Sequence, residues 1–134
     1  MEEDPSLLHK TAMVSDIVVP SLTIDSNLLF DAGQISFRPT AQEHLQRVAA
    51  FVEQYRPNRL VIIGHTDETE DEEAGQALSQ SQAETARLYL IETIPSVTPA
   101  MAEARGVGSR TPVAANDTPE NRARNRRIEV IAWD

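Results

Sequence analysis

The densest chemistry in the sequence lies between residues 65 and 82. Asp67 opens an acidic run that continues through Glu68, Glu70, Asp71, Glu72 and Glu73. Closely spaced carboxylates are the raw material of a calcium loop. An EF-hand register begun at Asp67, however, puts Glu72 where a glycine must turn the chain and Leu78 where a bidentate glutamate must close it. The run therefore reads as a solvated loop. Like charges crowded beside Asp67 repel one another and any ligand carboxylate. They read as a feature that selects partners, and neutral replacements are expected to leave the fold intact or slightly more stable. His65 invites a role as base or ligand, yet no second histidine lies near it in sequence, so it reads as structural. Ser79-x-x-Gln82 has the spacing of a capping box, and Gln82 otherwise reads as a solvated side chain. Ser79 and Ser81 have no matched histidine. No glycine-rich phosphate loop and no catalytic metal spacing occurs, so neither an enzyme nor a bound metal or cofactor is expected.

A second cluster, Arg122, Arg124, Arg126 and Arg127, looks in isolation like a nucleic-acid patch. The chain as a whole opposes that reading, because it carries 21 acidic against 12 basic side chains, a formal net charge of -9. A nucleic-acid backbone or an anionic lipid surface is excluded as a partner on charge. The absence of cysteine excludes disulfides and thiolate metal sites and leaves the compartment open between cytosol and periplasm.

These groups must be positioned by one domain. The chain has 134 residues, 40% hydrophobic and 25% charged, the balance of a globular unit rather than a disordered one. No apolar run approaches the ~18 residues of a membrane span. Ile17 to Pro20 reads as a short edge strand ended by its proline, and Ser21 to Phe30 as a strand followed by turn chemistry at Asp31-Ala32-Gly33. Pro39 to Tyr55 carries Ala41, Leu45, Val48, Val52 and Tyr55 on one stripe, which predicts a helix. Leu60 to Ile63 is a continuous apolar run suited to a central strand. Ala77 to Ile91 marks a second amphipathic helix, stopped by Pro95. Residues 100 to 107 form a weak strand candidate. Thr118-Pro119 is a helix start with Thr118 as cap, and Ile128 to Trp133 is the last strand. Helices alternating with strands predict a single sheet with helices packed on it. Residues 1–20 are read as an N-terminal extension and 21–134 as the domain.

Two segments are more specific than periodicity. One is Ile63-Gly64-His65-Thr66-Asp67, followed eleven residues later by Leu78-Ser79; the other runs from Pro112 through Asn125-Arg126-Arg127-Ile128-Glu129-Val130. With Gly106-Val107-Gly108-Ser109-Arg110-Thr111-Pro112, Leu29-Phe30-Asp31 and Pro39-x-Ala41, they resemble the OmpA-like C-terminal domain. That domain is the peptidoglycan-binding module of outer-membrane proteins, Pal-type lipoproteins and MotB-type stator proteins. The resemblance covers roughly residues 22 to 132. It implies an α+β fold, a βαβαβ sandwich with a mixed sheet. It also implies a ligand, the peptide stem of the cell wall, held chiefly through diaminopimelate. An aspartate pairs with the ligand ammonium, and the arginine of an LSxxRA segment pairs with a carboxylate through its two-pronged donor face.

Carried over residue by residue, the resemblance implies Asp67 and Thr66 as ligand contacts, with Arg126 close by. It also marks three departures. The LSxxRA arginine is Gln82, the asparagine usually found three residues before the leucine is Gly75, and a frequently polar position is Gly33. Gln82 is neutral, and losing a hydrogen bond between charged groups removes roughly 1.5–3 kcal/mol. The reading is therefore a non-covalent cell-wall association module of a Gram-negative envelope protein with weakened diaminopimelate recognition. The alternative is a structural domain of a type IV or type VI secretion assembly that keeps the fold without binding peptidoglycan. Either places the chain in the periplasm among other envelope subunits. Met1-Glu2-Glu3-Asp4 is neither a basic signal start nor a lipobox, so any membrane anchor is expected to lie outside this stretch.

Overall fold

The structure, a computed structural model, describes residues 7–14, 17–68 and 71–134. Five strands form one mixed sheet: β1 (Leu7–Val14), β2 (Ile17–Asp25), β3 (Arg59–His65), β4 (Ala102–Gly108) and β5 (Arg127–Trp133), in the order β1-β2-β5-β3-β4. β1 pairs antiparallel with β2, β2 with β5 and β5 with β3, while β3 and β4 run parallel. Among the described residues the α-helices are α1 (Gln42–Tyr55), α2 (Glu72–Thr93) and α3 (Pro119–Asn125). The expected α+β architecture with a mixed sheet is the one observed.

Local sequence explains the element ends. A 3-10 turn over Pro39–Ala41 leads into α1, which stops where Arg56 takes a left-handed conformation at φ 41°. Thr118 caps α3 by accepting from the Asn121 amide, with Pro119 in the first turn. One expectation is corrected here. The separate readings of 17–20 and 21–30 merge into the single strand β2, which ends at Asp25. Asp25 then accepts from the Asn27 amide and starts a 3-10 turn over Ser26–Leu28. Leu28 and Phe30 thus alternate in sequence without being in a strand. Pro20 is accommodated within β2, opposite Thr11 of β1.

Helices cover one sheet face. Leu22 and Ile24 of β2, Leu60 and Ile62 of β3, and Ile128, Val130 and Ala132 of β5 meet Leu45, Val48 and Val52 of α1 and Ala83, Ala86 and Leu90 of α2 in the main core. A smaller apolar cluster of Val19, Val61 and Ile131 lies apart from it, with Ile63 and Trp133 packed alongside. The alternation along each strand separates the two clusters.

α2 approaches β3 and β4 at backbone distance. A Cβ on Gly64 would sit 2.2 Å from the Ser79 carbonyl oxygen, and one on Gly106 would sit 2.2 Å from the Gln80 nitrogen. From that close seat α2 also covers the outer edge of β4. Arg87 Nε donates to Ala102 O at 2.7 Å and Gln80 Nε2 to Ala104 O at 3.0 Å. The Gly106 amide donates to Gln80 Oε1 at 2.8 Å, the Gly108 amide to Ser79 Oγ at 3.0 Å, and Gln76 Nε2 to Gly106 O. An exposed strand edge is a template for unwanted pairing, and here side chains occupy it.

The contact at the glycines yields a direct prediction. Gly64→Ala and Gly106→Ala force backbone against backbone, so each should cost about 3 kcal/mol or more in urea denaturation. Gly33, where φ is +74° and nothing lies within 4 Å of a would-be Cβ, should accept Asn at a cost below about 1 kcal/mol, because Asn tolerates this conformation. Equal losses at all three positions would refute the close-seat account.

Candidate functional site

The site forms at the carboxyl end of β3. This strand lies between β5 and β4, so the chain leaving it at Thr66 and Asp67 emerges among the ends of several elements. Thr66 is anchored by donating its amide to Gly108 O at 2.9 Å, at the end of β4. α3 arrives from the opposite side, and its C-cap residue is Arg126. Arg126 O accepts from the Ser26 amide at 3.0 Å, joining this corner to the turn after β2.

Asp67 is the electrostatic centre. Its Oδ2 accepts from Arg126 Nη1 at 2.8 Å and from Arg122 Nε at 3.3 Å, and its side chain is 16% exposed. Arg122 also donates to the Glu68 carbonyl at 2.7 Å. Among the described residues Asp67 Oδ1 has no partner, so one oxygen is committed to the protein's own guanidinium groups and one is available.

A pocket of about 320 Å³ opens beside this carboxylate. Gly33, Thr66, Asp67, Gln82 and Arg126 all line it, together with Phe30, Asp31 and His65 among others. Five of the six residues that sequence marked as ligand contacts are therefore brought together. The sixth, Gly75, stands apart from them. It is buried within the first turns of α2 and is absent from the pocket wall.

Gln82 requires a second correction. It is neither solvated nor part of a cap, being 5% exposed and in the interior of α2. Its Nε2 donates to the Gln34 carbonyl at 2.9 Å. One turn on, Thr85 Oγ1 donates to Ile35 O at 2.7 Å. The pair clasps the loop after Phe30 to the helix. That loop is further fixed by the stacked rings of Phe30 and Phe37, 5.2 Å apart, and by Phe37 edge-on to Tyr89. Gly33, at φ +74°, makes its turn.

Two buried groups support the pocket from behind. His65, 4% exposed, has Nε2 2.6 Å from Glu129 Oε1 and Nδ1 3.1 Å from Thr111 Oγ1. It is held as the sequence reading expected of a structural histidine. Arg127 donates to Thr111 O at 2.8 Å and to Asn125 O at 3.2 Å. Burial pulls its guanidinium below the ordinary arginine value while Glu129 opposes the shift. Thr66 is 7% exposed, and its hydroxyl oxygen is shielded, with no hydrogen-bond partner among the described residues.

The acidic run is the third correction. Asp71 is the N-cap of α2 and accepts from the Ala74 amide at 3.0 Å, and Glu72 and Glu73 occupy the first turn. Carboxylates there satisfy free amides and oppose the helix dipole favourably. At least three of the acids therefore stabilise the fold.

Sequence reasoning missed Asn125, which is fully buried. Its Oδ1 accepts from the Val113 and Ala114 amides at 2.8 and 3.0 Å, and its Nδ2 donates to Ala114 O and Asn116 Oδ1. Asn116 Oδ1 in turn accepts from the Glu68 amide at 3.2 Å. One side chain thus ties the 113–116 loop to the strand end that carries Asp67. Its available signal was position, directly before the two arginines of the closing motif.

Comparison with known proteins agrees with this geometry. The sequence profile described as the OmpA family matches residues 29–126. The probable lipoprotein YiaD of Escherichia coli is 30% identical over 109 residues, 81% of this chain and 49% of that protein. The peptidoglycan-binding protein ArfA of Mycobacterium tuberculosis is 36% identical over 104 residues, 78% of this chain and 31% of that protein. The chain therefore spans half or less of the length of these two relatives. Among solved structures, the cell wall anchor of the T6SS from Pseudomonas aeruginosa matches with a TM-score of 0.76 at 29% identity, covering 92% of this chain and 87% of that one. The periplasmic domain of Helicobacter pylori MotB shares the fold with a TM-score of 0.76 at 21% identity, covering 96% and 88%.

Two stability effects follow from the site. Asn125→Ala leaves several buried backbone groups unpaired and should cost about 2–4 kcal/mol in chemical denaturation. Asp71→Ala should cost about 1 kcal/mol through loss of the cap. A neutral or stabilising effect of either would contradict the roles assigned here.

Proposed function

Because this chain belongs to the OmpA family, a family of non-enzymatic binding domains, we propose that it is the part of a Gram-negative envelope protein that associates non-covalently with peptidoglycan. The observation that carries this reading is the pocket itself. It presents an available carboxylate oxygen of Asp67 in a wall that Gln82 and Arg126 complete. An ammonium group on the peptide stem meets Asp67 Oδ1, while Arg126 and Arg122 hold the other oxygen and fix the carboxylate plane. Arg126 lines the same pocket and can turn a donor towards a ligand carboxylate. This reading places the chain in the periplasm, where an anchor outside it would tether it to a membrane.

Recognition of free diaminopimelate is weakened in this account. A guanidinium at position 82 could serve a carboxylate with two parallel bonds, whereas Gln82 already spends one donor on Gln34 O. A second reading, a structural domain of a secretion assembly that does not bind the wall, draws on the same commitment. Gln82 and one oxygen of Asp67 are occupied by the protein itself.

Sedimentation with purified sacculi separates the two. The wall-binding reading predicts co-sedimentation that Asp67→Ala reduces at least about tenfold, the loss of roughly one charge-assisted bond. Gln82→Arg, whose several donors can keep Gln34 O and still reach a ligand, should tighten binding to free diaminopimelate stems by about one to two decades. No co-sedimentation of the folded wild-type domain would favour the structural reading.

A further inference from the structure

The hydrogen bond between Gln82 and the 31–38 loop fixes more than the loop. The acceptor is a backbone carbonyl, Gln34 O, at 2.9 Å. A carbonyl can only accept, so the atom facing it must be the Gln82 amide nitrogen, and the orientation of this amide is determined. One N–H is consumed. The second N–H and Oε1 remain, and Oε1 accepts no hydrogen bond among the described residues. A pocket-lining residue therefore presents one neutral donor next to one acceptor.

That pair of groups discriminates between two kinds of ligand. A carboxylate is acceptor-only, so it takes the single N–H and meets the lone pairs of Oε1 beside it. A primary amide is a donor and an acceptor side by side, as Gln82 is. It can donate to Oε1 or accept from the remaining N–H. Asp31, whose side chain is 65% exposed, lines the same pocket and stands 3.8 Å from Arg38 Nε. Arg126, which also lines it, commits Nη1 to Asp67 Oδ2, so the discrimination between the two ligands falls to Gln82.

We infer that the pocket takes a stem-peptide residue carrying an ammonium group and a primary amide, that is, an amidated diaminopimelate rather than the free acid. The ammonium sits on Asp67 Oδ1, and the amide pairs with Gln82. Gln82 is then the specificity-determining residue of the site. This rests on the wall-binding reading above and names the form of its ligand.

The test is calorimetric titration of the whole chain with two synthetic stem tripeptides that differ only in amidation of the diaminopimelate side-chain carboxyl. The amidated peptide should bind about tenfold tighter, the yield of one added hydrogen bond and one removed repulsion. Gln82→Arg should reverse the order. Its fold is checked by thermal melting, since Thr85 still holds Ile35 O. Equal binding, or tighter binding of the free acid by the wild type, overturns the inference while leaving the wall-binding reading intact. Sacculus binding with neither peptide bound also overturns it, by moving the contact away from this pocket. Failure of sacculi and both peptides alike removes the wall-binding reading itself.

Discussion

Everything at this site depends on how closely α2 can lie against the sheet. Helix and strand backbones meet only where no side chain intervenes. Gly64 and Gly106 provide that on adjacent strands, each leaving no room for a Cβ against Ser79 or Gln80. With the helix seated there, Ser79, Gln80 and Gln76 reach the free groups of β4. The same seat sets the azimuth of the next turn, so that Gln82 and Thr85 face the loop after Phe30. It also places the capped start of α2 a few residues beyond Asp67. Sheet edge, pocket wall and loop are thus fixed by one contact.

The second determinant is charge. A chain with a net charge of -9 concentrates arginines at one corner, and the structure shows where they go. Arg127 is turned inward to carbonyl oxygens and Glu129. Arg126 and Arg122 converge on Asp67. A largely buried carboxylate between two guanidinium groups is held in one orientation while one of its oxygens remains open. The pocket is consequently better suited to a cation with a neutral neighbour than to a zwitterion. That follows from the commitments of Asp67 and Gln82, not from overall charge.

Much of this was legible in the sequence. Periodicity located α1, β3 and the body of α2. The GHTD-like segment and the arginine-rich closing motif located the two chain segments that meet at Asp67. What could not be read was each side chain's bonding partner. Gln82 looked solvated because nothing in its local sequence announces the Gln34 carbonyl 48 positions away. The acidic run looked repulsive because its role depends on where α2 begins, which Asp71 decides. Gly75 was assigned by analogy of position and lies on a buried stretch of the helix. Asn125 was passed over because buried loop-tying asparagines have no periodic signal. Leu28 and Phe30 alternate in sequence as a strand would, yet the 3-10 turn after Asp25 leads to burial of Ser26, Leu29 and Phe30 and leaves Leu28 partly exposed.

The central claim is that one pocket, bounded by the end of β3, the loop after β2 and the middle of α2, is where this domain meets its ligand. Chemical-shift mapping of the isotope-labelled chain during titration with solubilised stem-peptide fragments tests it most directly. The account predicts that shifts concentrate at Asn27 to Gly33, Thr66, Asp67, Gln82 and the Arg126 region, with Asp67→Ala suppressing them. Shifts centred instead on the groove between the first turns of α2 and Arg110, with the Asp67 pocket unmoved, would contradict it.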